Sequence, residues 1–65
     1  MNGQDLELLD VAGIVAATGL AARTVRELVY TRQLPVVKVG SRAYVRRSDL
    51  ADWIERNTEP ARAEQ

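Results

Sequence analysis

The chain has 65 residues, nine Lys/Arg against nine Asp/Glu, and neither histidine nor cysteine. This length gives one domain, and one that buries only about 60% of its unfolded surface, so a partner is expected to complete it. Disulfides and thiolate metal sites are excluded, the commonest general base is missing, and little chain is left to wall a pocket; no enzyme, cofactor or small-molecule ligand is expected.

"DVAGIVAATG" predicts a first helix. Asp10 is placed to accept bonds from the first free amides. Val11, Ile14, Val15 and Thr18 recur at i, i+3, i+4, i+7 on one face, and Gly19 suits the left-handed residue that ends a helix. "AARTVRELVYTRQ" predicts a second helix over residues 21–32. Leu20, Val25, Leu28 and Val29 make its apolar stripe, and Arg23, Arg26, Glu27 and Tyr30 fall on the opposite face. Leu34-Pro35 stops it, because a residue before proline avoids the α region. A connection of about three residues makes the two helices a sharp helix-turn-helix corner.

"VVKVGSRAYVR" predicts a β-hairpin turning at Gly40-Ser41. Alternation is expected to place Val37, Val39, Ala43 and Val45 toward a core. Lys38, Tyr44 and Arg46 then take the outer face, with Arg42 at the tip. "SDLADWIERN" predicts a third helix with Ser48 as N-cap, Asp49 and Asp52 at the positive end of its dipole, and Leu50, Trp53 and Ile54 as its buried stripe. Trp53 is expected to anchor the core. The domain is expected to span residues 1–57, followed by a polar tail over 58–65.

The zero net charge conceals a partition. Residues 1–20 hold Asp5, Glu7 and Asp10 and no cation, and residues 21–47 hold seven cations against Glu27 alone. Residues 48–65 hold five acids against Arg56 and Arg62. A basic middle third between acidic flanks points to a polyanion partner. No apolar run approaches the ~20 residues of a membrane span. The acidic "MNGQDLELLD" lacks the order of a signal peptide, so no membrane partner and a cytoplasmic location are expected.

Double-stranded DNA fits the pattern of cations. The second helix would enter the major groove with its N-terminal half against base edges. Arg23 and Arg26 are candidates for guanine O6 and N7 or for phosphate. Thr24 is placed to meet a phosphate or a thymine methyl, or to cap the helix. Tyr30, further along, is placed for a phosphate. Arg42 suits a narrow minor groove, where the negative potential favours arginine. Lys38 and Arg46 suit phosphates beside it, and Tyr44 shares their face. Arg47, at the junction with the third helix, is open to DNA or to pairing with Asp49 or Asp52.

Helix, tight turn, helix, hairpin, helix is a mainly α, winged helix-turn-helix order. Residues 8–54 resemble the small MerR-like winged-helix domains of phage excisionases, through Thr24-Val25, Leu34-Pro35, Val39-Gly40 and "RRSDL" at 46–50. Two positions depart from that pattern: Ala21 stands where serine is usual, and Ala43 where a large residue is common. The resemblance implies an architectural protein that binds repeated sites on phage attachment DNA, bends it and directs an integrase toward excision. It further implies tandem loading, and acidic flanks that can face the cations of a neighbouring copy make head-to-tail self-association on the DNA the expected contact. A small transcriptional regulator of the same fold, and a module whose acidic helix binds an integrase or polymerase, are the competing readings.

Overall fold

A computed structural model describes residues 6–61. The elements in chain order are β1 (Leu8–Leu9), α1 (Val11–Thr18), α2 (Ala22–Tyr30), β2 (Val37–Val39), β3 (Arg42–Arg46) and α3 (Arg47–Arg56). Three helices with an antiparallel hairpin form the winged helix-turn-helix that the sequence order predicts. Asp5 and the last four residues of the expected tail lie outside the described residues; 58–61 form no helix or strand.

The helix-turn-helix corner is fixed by local chemistry. Asp10 Oδ1 accepts from the Gly13 N–H at 2.8 Å and so caps α1. Gly19, with φ +79, takes the left-handed position that closes the helix, and its N–H reaches the Val15 carbonyl at 2.8 Å. The Thr18 hydroxyl donates to the Ile14 carbonyl at 2.7 Å and accepts from the Leu20 N–H at 3.1 Å. Three residues then separate the helices, and their angle is set without a flexible linker.

One small core joins every part of this frame. Ile14, Val25, Leu34 and Val45 are fully buried, and Leu28 and Leu50 nearly so. Each helix, the central strand and the loop after α2 contribute. Leu34 therefore does more than precede a proline: it seals the core from the loop side. Trp53 is only half-buried against this cluster, and Ile54 is 42% exposed, so Leu50 is the residue that anchors α3.

The sheet has three strands in the order β1-β3-β2. Leu9 pairs with Val45 and Leu8 with Arg46, adding a strand that a two-residue segment is too short to announce by alternation. Val37 pairs with Tyr44, Lys38 with Ala43, and Val39 with Arg42. Partners in an antiparallel pair share a face, which corrects the expected faces of the hairpin. A two-residue turn makes 39 and 42 partners, so even-numbered residues of β2 share a side with odd-numbered residues of β3. Lys38 lies with Ala43 and Val45 on the inner face; Val37 and Val39 lie outside with Arg42, Tyr44 and Arg46, and Val39 is 53% exposed.

Two helix boundaries also differ from expectation. α2 stops at Tyr30 rather than Arg32, because Arg32 turns to φ +62. α3 starts directly from β3 at Arg47, so Arg46 holds the N-cap position, Ser48 lies inside the first turn, and no side chain caps the end. Asp49 in the first turn and Arg56 in the last still complement the helix dipole. The far end is closed by side chains: Asn57 Nδ2 donates to the Trp53 carbonyl at 2.8 Å and the Thr58 hydroxyl to the Ile54 carbonyl at 2.6 Å.

Candidate nucleic-acid interface

α2 buries Val25 and Leu28 and turns Arg23, Thr24, Arg26, Glu27 and Tyr30 to the surface, as its periodicity predicts. Tyr30 is 85% exposed. No hydrogen bond from the Ala21 side chain closes the start of the helix. Its first amides are left for solvent or for an anion.

The inner face of the wing stands beside this helix. Between them runs a groove of about 620 Å³, lined by Arg23, Arg26, Glu27, Val29, Tyr30, Thr31 and Arg32 from α2 and the turn after it. Lys38 and Ala43 of the wing and Val11 of α1 complete it. Four of the eight expected site residues, Arg23, Arg26, Tyr30 and Lys38, therefore meet around one groove. The register of the hairpin brings Lys38 there, and the small side chain at Ala43 keeps that wall low. Thr24 lies exposed at the N-terminal end of the same helix.

Arg42, Tyr44 and Arg46 stand apart on the outer face of the sheet. Arg42 stacks over Tyr44, 5.8 Å from its ring centroid, and its Nη2 lies 3.8 Å from Asp10 Oδ2. Arg46 pairs with Asp49 at 3.3 Å. Arg47 reaches neither Asp49 nor Asp52 but lies 3.8 Å from Glu7, while its N–H bonds the Glu7 carbonyl at 3.1 Å. These exposed pairs are worth about 0–1 kcal/mol each. They balance the outer face without holding it rigidly, and Arg42, whose side chain is 67% exposed, remains accessible at the turn end of the wing.

Arg32 is the groove cation that the sequence reading did not single out. It falls at the end of the helix expected over residues 21–32, but α2 stops at Tyr30 and Arg32 takes a left-handed turn, with its side chain on the groove. Around the groove, four cations face one carboxylate, Glu27. An arrangement of that sign and shape suits a strand of phosphates, while the N-terminal half of α2 suits base edges.

A capped helix, a three-residue turn, a basic exposed helix and a wing beside it define a winged helix-turn-helix domain. The family model described as a helix-turn-helix domain matches residues 8–58, and the chain belongs to that family. The family indicates DNA binding. No curated protein and no solved structure matches the chain. Among the described residues no helix is long and apolar enough to cross a membrane.

Proposed function

We propose that the protein is an architectural DNA-binding factor of the excisionase kind. It inserts α2 into the major groove of repeated sites, lays the wing along the flanking backbone, and bends attachment-site DNA so that an integrase runs toward excision. The observation that carries the DNA reading is the groove between α2 and the wing, where Arg23, Arg26, Arg32 and Lys38 converge. The excisionase role rests on the resemblance in residues 8–54.

Charge partition supports loading of several copies. Asp52 and Glu55 are exposed on α3, away from the groove, and a neutral protein does not repel its neighbours on a duplex. A contact between the acidic side of one copy and the basic side of the next is heterologous and does not close, so it extends along the DNA. Smooth bending of a site costs on the order of 1–6 kcal/mol, more readily offset by several copies than by one.

The test begins with a site selected from a random duplex pool. Titrations on duplexes carrying one, two and three copies of it, with a permuted-site assay for bending, should give affinity rising with site number and a bend. Independent filling of straight DNA would favour the regulator, and failure to bind any duplex would remove the DNA reading altogether.

A further inference from the structure

α2 ends in a conformation that its sequence does not favour. The Gln33 N–H bonds the Leu28 carbonyl at 2.9 Å and the Arg32 N–H bonds the Val29 carbonyl at 3.2 Å, the paired bonds of a Schellman ending. That ending places one residue in the left-handed region, here Arg32 at φ +62. Glycine is the usual occupant, because a Cβ there crowds the following carbonyl. Among the described residues Arg32 is the only non-glycine with positive φ.

The fold gives an arginine at this position one local role, an exposed side-chain bond to its own helix end. Arg32 is exposed and takes no part in the core. Its Nη1 donates to the Val29 carbonyl at 3.0 Å, but that carbonyl already accepts the Arg32 backbone N–H. A glycine would keep the backbone bond and remove the strain, losing only that exposed side-chain bond.

We propose that Arg32 is a phosphate-binding residue of the DNA interface; the assignment rests on the DNA reading above. With Lys38 it forms the C-terminal end of the groove. Arg32 stands at the opposite end of α2 from Arg23, two residues beyond Tyr30, the last residue of the helix. With Arg23 among the base edges, Arg32 and Lys38 meet the sugar-phosphate strand at the rim. The strained backbone is retained because it returns a guanidinium to the groove from a position already outside the helix.

The experiment compares Arg32→Gly and Arg32→Lys by thermal unfolding and by anisotropy titration on the selected duplex and on a random one. Arg32→Gly should melt at the same or a higher temperature, by up to about 8 °C for a domain this size. It should bind both duplexes roughly five- to tenfold more weakly, with a salt slope smaller in magnitude by about 1. Arg32→Lys keeps the charge and should keep most of the affinity. If Arg32→Gly does not fold, Arg32→Asn, which tolerates the left-handed region, gives the same reading. A glycine variant with full affinity and an unchanged slope would overturn the assignment and leave Arg32 as a helix cap. Failure of the wild-type chain to bind any duplex would instead overturn the DNA reading, and this assignment with it.

Discussion

Raising the salt concentration weighs the basic groove directly, because each phosphate neutralised by the protein releases counterions. Nine cations stand in the chain, but the structure does not leave them equivalent. Arg23, Arg26, Arg32 and Lys38 line the groove. Arg46 and Arg47 are engaged by Asp49 and Glu7, and Arg42 is loosely held by Asp10. With Arg23 at a base edge, phosphate contacts from Arg26, Arg32 and Lys38 give a slope of log K against log salt of about −2.7, and a fourth from Arg42 brings it to about −3.6. Between about 50 and 200 mM KCl the affinity should then fall by roughly 40- to 150-fold. Fluorescence anisotropy of a labelled duplex of about 20 base pairs, a little longer than one major-groove site with its flanks, measures this. A slope near zero would refute the groove as a phosphate site. A slope beyond about −5 would require Arg46 and Arg47 as well, and would refute the division between the two faces of the wing.

Arg23→Ala should reduce discrimination between selected and random DNA by about 1–3 kcal/mol, whereas Arg42→Ala should weaken binding most where A·T-rich sequence flanks the site. Equal losses on every sequence would contradict that separation, provided circular dichroism shows both variants folded. Ala21→Ser supplies the cap that α2 lacks and should add about 1 kcal/mol of stability, or about 4–8 °C in Tm; an unchanged melt would mean that the first turn is already satisfied. Leu34→Ala should cost about 2–5 kcal/mol and exceed the loss from Trp53→Ala in urea unfolding, because Leu34 is sealed in the core and Trp53 is not; the reverse order would place the core around α3.

The helical part of the fold is legible because its signals are local. Asp10, Gly19 and the stripe of Val25 and Leu28 act within one or two turns, and the structure places them as the sequence implies. The wing was harder to read because faces across a hairpin depend on its turn. Assigning Val37 and Val39 to the core treats the two strands as one continuous alternation, whereas pairing Val39 with Arg42 changes the parity and brings Lys38 inward. That parity could have been counted from the two-residue turn. β1 could not be read so, since two residues carry no period and Leu9 becomes a strand only by meeting Val45. Arg32 was missed for a related reason: a left-handed turn after a helix changes where a side chain arrives, and arginine does not signal such a turn as glycine does.

The separation of faces also explains how a protein of zero net charge can present a basic groove. On the outer face, Asp10, Asp49 and Glu7 stand beside Arg42, Arg46 and Arg47, and that side largely neutralises itself. In the groove, Glu27 faces four cations. At physiological ionic strength a charge is screened beyond about 8 Å, so a duplex in contact with α2 responds to the groove and little to the acids of α3. At about 0.01 M the screening length is about 30 Å, and the balanced total weakens the attraction before contact. Neutrality therefore lowers indiscriminate long-range capture by DNA while leaving the contact itself basic. The affinity of such a chain depends on how well α2 and the wing fit a particular site, and less on how much charge the protein carries.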